Sequence, residues 1–287
     1  ASEKCFVTQP TITTQVKKLE TEIGFKLFNR KTNPLTPTKS GELFIAKAKN
    51  IIREINDLKN LFNTKINNID GEYKIGIIPT ISPYLVPLIS KSFTENYPET
   101  TLIIEEMQSE FILEALHKNE LDVGILVTPT NEPSIREIKL YNEPFVFYCN
   151  KNHAFANNKS VSSEITEDLN DLWLLNKGHC FRNQVLNICS NKTSSKNIKF
   201  QSGSIETLKK MVDKFGGFTL VPEMANNNLN EGISIPFSEP KPIREVSIVS
   251  HHSFSKEGFI DILRTEILNK IPSDFDKNNR FIKVKWR

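Results

Sequence analysis

The stretch Thr8 to Gly24, TQPTITTQVKKLETEIG, decides how the beginning of this chain folds. A hydroxyl residue followed closely by proline is typical of a helix N-terminus, and a glycine such as Gly24 is typical of a helix end. Between them, apolar residues recur every three or four positions and form one stripe along a helix: Ile12, Val16, Leu19 and Ile23. The sequence therefore predicts one helix between these two signals.

The face of this helix opposite the stripe carries hydroxyl, amide and ammonium groups. They are Thr11, Thr14, Gln15, Lys17 and Lys18. A short turn at 6–8 separates this helix from a helical segment at 1–5, which is typical of a helix-turn-helix whose second helix enters the major groove of DNA. We expect the lysines to contact phosphates and the other three side chains to contact bases. The alternative is a polar face that is only solvated.

Basic and turn-forming residues follow the helix. The segment 28–35, FNRKTNPL, predicts a wing that places Arg30 and Lys31 on phosphate. Residues 1–65 hold 12 Lys or Arg and 6 Asp or Glu, a net charge of +6, whereas the whole chain has +3. A basic segment on a mildly acidic body favours a polyanionic partner, and double-stranded DNA is the one we expect.

A second helix is predicted to start at Thr36-Pro37 and to run to about Asn63. Its apolar residues are spaced alternately by four and three, as in a heptad seam: Phe44, Ala48, Ile51, Ile55, Leu58 and Phe62. So narrow a seam on a long helix needs a partner helix. The same helix of a second copy would give a two-fold homo-oligomer suited to a palindromic DNA site. The alternative is packing against the chain's own body.

From Gly71 onward, short apolar strands alternate with helices, which indicates an α/β fold with a mostly parallel sheet. One α/β part is interrupted by a second and completed by a late helix, as in a two-lobed binding protein with its cleft between the lobes. We place lobe I at about 71–142 and 250–287 and lobe II at about 143–249.

Composition excludes several classes of protein. A chain of 287 residues predicts about two domains, and 38% hydrophobic with 25% charged residues is ordinary for a globular protein. No apolar window is long enough for a transmembrane helix, so we expect no membrane contact and a cytoplasmic location. The four cysteines lack metal-ligand spacing and are too sparse for a disulfide scaffold. We therefore expect no metal and no cofactor.

The segment 178–184, GHCFRNQ, places Cys180 at or near the start of a predicted helix that ends close to Cys189. The helix dipole, His179 and Arg182 all favour a thiolate at this position. A thiolate that meets peroxide becomes a sulfenic acid, which condenses with a second thiol to form a disulfide.

A folded helix would keep these two cysteines apart. Nine helical steps separate their Cα atoms by about 13 Å, whereas a disulfide needs about 4.4–6.8 Å. The helix would have to unwind before the bond closed, which would make a two-state switch. The alternative is that both are small buried hydrophobic residues, as we expect for Cys5 and Cys149.

The stretches 8–13 (TQPTIT), 27–30 (LFNR) and 35–37 (LTP) resemble the winged helix-turn-helix of LysR-type transcriptional regulators. The resemblance extends over nearly the whole chain. It implies a partial DNA-binding domain at 1–37, truncated because the family's reader begins with a further helix. It also implies a linker and dimerisation helix at 38–70 and a regulatory domain like periplasmic binding proteins at 71–287. Promoter DNA, RNA polymerase and a dimeric or tetrameric state are implied with it.

Three further stretches are similar to the peroxide-sensing members of that family: 178–189, 78–85 (IPTISPYL) and 204–208 (SIETL). This resemblance implies that Cys180 is the peroxidatic cysteine and Cys189 the resolving one. It also implies a peroxide pocket made of Thr80, Ser109, His179 and Lys199. The sequence departs from the usual pattern at three positions, where Ser109 replaces threonine, Asn183 replaces aspartate and Lys199 replaces histidine.

The sequence thus predicts a DNA-binding transcriptional regulator, not an enzyme, whose signal is hydrogen peroxide. One alternative is a LysR-type regulator that binds a small organic ligand between its lobes while its cysteines stay inert. A second is a thiol peroxidase-like enzyme, which would leave the basic N-terminal segment without a purpose.

Overall fold

The protein forms two compact units, residues 1–64 and residues 65–287. The structure is a computed structural model, and it describes residues 7–30, 32, 34–61, 69–163, 171–189, 202–226, 231–273, 275 and 280–286. Across these ranges, no helix combines the length and apolar character that crossing a membrane requires.

The first helix, α1, spans Gln9–Ile23 and confirms the prediction from its sequence. Thr8 stands at its N-cap, and Gly24 ends it in the left-handed conformation with φ of 80°. The Gly24 N–H donates to the carbonyl of Glu20, which closes the last turn. Of the apolar stripe, Leu19 is exposed and the other three side chains are half-buried. The helix predicted at 1–5, which includes Cys5, lies outside the described residues.

A two-stranded hairpin follows α1, as the wing prediction requires. Its strands are β1, Phe28–Asn29, and β2, Thr36–Pro37, and they pair antiparallel. The second helix therefore does not start at Thr36-Pro37, and that boundary was wrong. The helix N-cap is Thr38, whose hydroxyl accepts the N–H of Gly41 at 2.9 Å.

The second helix, α2, spans Lys39–Leu61. On the predicted seam, Phe44 and Ala48 are half-buried, whereas Ile51 and Ile55 are 58% and 48% exposed. The side chain of Leu58 and the whole of Phe62 lie outside the described residues. The described part of the seam thus leaves branched apolar side chains in contact with water.

The second unit is built on an eight-stranded curled sheet with helices on its faces. The strands are β3 Gly71–Ile77, β4 Thr100–Glu106, β5 Val123–Thr128, β6 Ile135–Cys149, β7 Phe218–Pro222, β8 Ile233–Pro236, β9 Lys241–His251 and β10 Phe281–Lys283. The helices are α3 Ser82–Asn96, α4 Ser109–His117, α5 Cys180–Ile188, α6 Ile205–Phe215 and α7 Glu257–Leu268. The α/β class is confirmed.

The expected mostly parallel sheet is wrong. Strand β3 is parallel to β4 and β5, and β10 is parallel to β9, but β6 is antiparallel to β7, β8 and β9, and β5 is antiparallel to β9. Strands β6 and β9 are 15 and 11 residues long and serve both halves of the sheet. One carries the chain out of the first lobe and the other brings it back, so they run in opposite directions.

Two separate hydrophobic cores confirm the two-lobed architecture. The first core contains Ile75 and Val123 of the first strands, and the second contains Phe147 and Phe218. Residues 281–286, which we had placed in lobe I, touch both halves. Val284 lies in the second core and Trp286 in the first.

Gly41 supplies a test of the packing of α2 on the segment after α1. A Cβ at this position would lie 2.0 Å from the carbonyl oxygen of Leu27, which is backbone and cannot move away cheaply. Glycine to alanine normally stabilises a helix interior. Here we expect Gly41→Ala to lower the free energy of unfolding of this unit by about 1–3 kcal/mol, as overpacking does. Chemical denaturation followed by circular dichroism measures the change.

The matched control is Ser40→Ala, an exposed position one residue earlier on the same helix. We expect a change within about 0.5 kcal/mol there. A Gly41→Ala protein as stable as the parent would contradict the close approach.

Candidate functional site

Cys180 is the first residue of α5, as predicted. His179 precedes it in extended conformation, and the N–H of Arg182 donates to the His179 carbonyl at 3.0 Å. Gly178 has φ of 95°, and a Cβ on it would lie 2.5 Å from Oε1 of Gln108. Only glycine fits this turn without strain. The turn sets the sulfur at the positive end of the α5 dipole.

A buried ion pair lies close to this sulfur. Arg244 on β9 and Glu143 on β6 stand opposite each other in the sheet, with nitrogen and oxygen 2.7 Å apart. Both side chains are only 1% exposed. The backbone N–H of Met224 donates to the second oxygen of Glu143 at 3.0 Å. The pair is therefore fixed by the sheet register and by a third segment of chain.

Arg244 also reaches the loop after β3. Its guanidinium donates to the Thr80 hydroxyl at 2.8 Å and to the Thr80 carbonyl at 3.0 Å. It stands over the ring of Phe181, the residue after Cys180, at 5.4 Å from the ring centre. Thr80 is itself buried, so Arg244 brings the predicted pocket threonine and the start of α5 to one place.

Ser109 is the first residue of α4 and is 1% exposed. Among the described residues, no oxygen or nitrogen atom is a hydrogen-bond partner of its Oγ. The Ser109 hydroxyl is one of the groups that lower the pKa of the Cys180 thiol against the effect of burial. A buried hydroxyl beside a sulfur, with hydrogen-bonding capacity left over, suits a small polar guest.

Burial raises the pKa of the Cys180 thiol, and the net direction is upward. The positive charge of Arg244 opposes this rise, and so do the Ser109 hydroxyl and the N–H of Phe181. The expectation that the local groups would leave a lowered pKa was therefore wrong for this conformation. The dipole argument underestimated the loss of hydration around a sulfur that the first core encloses.

Arg182, the predicted thiolate-tuning residue, makes its hydrogen bond to the backbone. Its guanidinium donates to the carbonyl of Leu175 at 2.6 Å and braces the loop before α5. The guanidinium of Arg182 is therefore bound to a carbonyl seven residues earlier in the chain.

His179, the residue before Cys180, lines a cavity of about 550 Å³. Burial lowers the pKa of His179, while Glu106 pulls it upward to a smaller extent. The imidazole is thus favoured in its neutral form, which can accept a proton. Cys180 is not among the residues that line the cavity, although Gln108, Tyr84 and Glu206 are. Lys199, the fourth predicted pocket residue, lies outside the described residues.

Cys189 is the C-cap of α5, and its N–H donates to the carbonyl of Val185 at 2.9 Å. It is fully buried in the second core, whereas Cys180 belongs to the first. Neither is in a disulfide in this structure. Cys149 is a third buried thiol, and burial raises its pKa to about 11, as suits an inert hydrophobic residue.

The predicted DNA-contacting residues on α1 are all exposed on one helix: Thr11, Thr14, Gln15, Lys17 and Lys18. Two of them already use their hydroxyls locally. Thr14 donates to the carbonyl of Pro10, and the Thr11 hydroxyl bonds that of Thr8. Arg30 pairs with the buried Glu20 at 3.1 Å, and Lys31 lies outside the described residues.

Sequence reasoning missed Arg244 and Glu143. The one available signal was a charged residue inside an apolar strand, in PIREVSIV at 242–249. An ion of this kind is buried only when a partner compensates it. That partner lies about a hundred positions earlier, so local pattern gave no means of naming it.

Comparisons with known proteins agree with this architecture. Residues 67–266 match the LysR substrate binding domain, and residues 1–42 match the bacterial regulatory helix-turn-helix of the lysR family. The hydrogen peroxide-inducible genes activator of Haemophilus influenzae is 32% identical over 87% of this chain and 83% of its own length. The Escherichia coli regulator OxyR is 29% identical over 96% of this chain and 92% of its own.

Solved structures give the same result. A full-length OxyR variant from Pseudomonas aeruginosa superposes with a TM-score of 0.79 and 32% identity, covering 93% of this chain and 90% of that one. A hydrogen-peroxide-bound OxyR mutant from Corynebacterium glutamicum superposes with a TM-score of 0.65 and 26% identity, covering 93% and 87%. With one matched domain covering well over half of its length, the chain belongs to the LysR family of bacterial helix-turn-helix transcriptional regulators.

Proposed function

We propose that this regulator binds promoter DNA and senses hydrogen peroxide through Cys180, with Cys189 as the resolving thiol. The observation that carries the proposal is the buried sulfur between a helix N-terminus, the cation of Arg244 and the Ser109 hydroxyl. A relative named as a hydrogen peroxide-inducible genes activator and a structural neighbour with hydrogen peroxide bound support the same conclusion.

The first chemical step is a two-electron oxidation of the sulfur. The Cys180 thiolate attacks one oxygen of hydrogen peroxide, the O–O bond breaks, and the departing hydroxide takes a proton and leaves as water. Thr80 and Ser109 present hydroxyls to the peroxide. His179, neutral before the step, accepts the proton that the thiol gives up. Arg244 stabilises the negative charge as it passes from sulfur to oxygen.

The second step makes the disulfide. The Cys189 thiolate attacks the sulfenic sulfur of Cys180, and the sulfenic hydroxyl leaves with a proton as water. The S–S bond forms without a further oxidant. Because α5 separates the two residues, this step requires α5 to unwind, and both cores lose packing that the helix provided.

The changed packing is what the DNA-binding unit reads out. We propose a homo-oligomer, dimer or tetramer, held by the seam on α2, with Ile51 and Ile55 covered by a second copy. Lys17, Lys18, Arg30 and Lys31 contact phosphate, and Thr11, Thr14 and Gln15 contact bases. RNA polymerase is the partner at the promoter, and the site of action is the cytoplasm.

Cys180→Ser is expected to abolish the peroxide response and to leave DNA affinity of the reduced protein unchanged. Serine keeps the size of the side chain but lacks a nucleophilic thiolate. Promoter-fragment footprinting with and without stoichiometric peroxide measures both quantities. Cys149→Ala is the matched control, because it removes a buried thiol in lobe II and should leave the response intact. A peroxide response that survives in Cys180→Ser would exclude Cys180 as the sensing residue.

Ser109→Ala is expected to slow sulfenic acid formation by about tenfold or more, since a hydrogen bond to a charged group contributes about 1.5–3 kcal/mol. Ser109→Thr keeps the hydroxyl and should keep the rate within a small factor. Stopped-flow mixing with peroxide, with the sulfenic acid trapped by dimedone and quantified by mass spectrometry, gives the rates. Equal rates in Ser109→Ala and the parent would exclude this hydroxyl from the pocket.

Arg244→Gln combined with Glu143→Gln is expected to raise the pKa of Cys180 further, because a cation that opposes the effect of burial is removed. The double variant avoids leaving one buried charge without its partner. The pH profile of Cys180 alkylation should move to higher pH, and peroxide oxidation at pH 7 should slow. An unshifted profile in a folded double variant would contradict the role given to Arg244.

A further inference from the structure

The C-terminal segment 281–286 is bound to the redox helix α5 by three side-chain amides. Asn183 donates to the carbonyl of Trp286 at 3.2 Å, Gln184 to that of Val284 at 3.0 Å, and Asn187 to that of Lys285 at 2.8 Å. Asn187 lies four positions after Asn183 and three after Gln184, and residues three and four positions apart are neighbours on a helix surface. One face of α5 therefore holds three consecutive carbonyls of an extended segment.

The same segment is fixed to the sheet on its other side. Strand β10 pairs parallel with the beginning of β9, and the N–H of Val284 donates to the carbonyl of Ile243 at 2.9 Å. Lys283 pairs with Glu245 at 2.7 Å. The side chain of Val284 enters the second core, and the indole of Trp286 enters the first with 4% exposure. Residues 281–286 thus lie between α5 and β9.

We propose that residues 281–286 act as a strap on α5, so that α5 cannot unwind without releasing the strap. The proposal deepens the redox switch and rests on the proposed function, since it is the Cys180–Cys189 bond that requires unwinding. The strap would control the second step, disulfide closure, and leave the first step, sulfenic acid formation, untouched.

The coupling between α5 and the strap follows from the hydrogen bonds that each segment would lose without the other. Gln184 is fully buried, and its amide would lose its acceptor if the strap left while α5 stayed folded. Conversely, unwinding of α5 would strip three carbonyls of their donors, and buried polar groups without partners are costly. Each segment therefore stabilises the other, and the effect must be equal in both directions.

A hydrogen-exchange experiment on the reduced protein tests the strap without any redox chemistry. In Asn183→Ala/Asn187→Ala, two of the three donors are lost, and we expect amides of 282–286 to exchange about fivefold faster or more. Alanine is the better helix former, so helix propensity alone predicts an α5 that is at least as stable. Asn269→Ala, on an exposed helix end, is the matched control and should change nothing in this segment.

The reciprocal measurement uses the parent chain shortened by residues 284–287. We expect faster exchange of α5 amides, Val185 and Ile188 among them, while amides of α3 keep their rates. Unchanged exchange in the strap of the double variant, or unchanged exchange in α5 of the shortened chain, would overturn the proposal.

Oxidation supplies the second test, because the chain has only two tryptophans. In Trp173→Phe, the emission of Trp286 reports the strap, and we expect a red shift that follows disulfide closure and not sulfenic acid formation. The difference between the parent and Trp286→Phe gives the same signal if Trp173→Phe does not fold. In Asn183→Ala/Asn187→Ala, closure should be several-fold faster at an unchanged sulfenic acid rate.

Non-reducing peptide mapping of the same samples separates the two proposals. A 180–189 disulfide with unshifted Trp286 emission overturns the strap and leaves the redox switch standing. A protein that forms no 180–189 disulfide overturns the proposed mechanism, and the exchange experiment on the reduced protein then decides the strap by itself.

Discussion

The fold of α5 holds the sulfurs of Cys180 and Cys189 in two different hydrophobic cores. A nine-step helix keeps their Cα atoms about 13 Å apart, and a disulfide tolerates at most about 7 Å. No covalent link between them is compatible with the helix. In the proposed mechanism, oxidation of the Cys180 sulfur therefore changes the packing of both lobes, since each core loses side chains that α5 had placed in it.

The site must satisfy two opposed demands on one sulfur. Enclosure by the first core shields the sulfur but raises the pKa of the Cys180 thiol. The buried Arg244 opposes that rise, and Glu143 keeps the arginine compensated and in register. A buried ion pair contributes little to stability, because removing two charges from water costs about as much as their attraction returns. Its position is explained better by the chemistry of the neighbouring sulfur than by the stability of the fold.

The sequence pattern predicted those features of the fold that depend on residues close together in the chain. The ends of α1 follow from Thr8 and Gly24, and the start of α5 follows from the Gly178 turn. The antiparallel pairing of β6 with β9 could not be read from the strands themselves, since direction depends on the connections between lobes. The contact of Arg244 with Thr80 joins residues 164 positions apart. Arg182 was nearer in sequence, but a nearby carbonyl bound it instead.

The contacts of the C-terminal segment 281–286 could not be predicted from the sequence for a related reason. Nothing in FIKVKWR states what it binds, and Asn183, Gln184 and Asn187 read alone as a solvated polar face. The nine-residue helix α5 begins with Cys180, is capped by Cys189 and carries the three amides that hold the strap. Interactions along that helix can raise or lower the barrier to disulfide closure without touching the groups around the Cys180 sulfur. Under the proposed mechanism, the rate of sulfenic acid formation and the rate of disulfide closure can therefore vary independently.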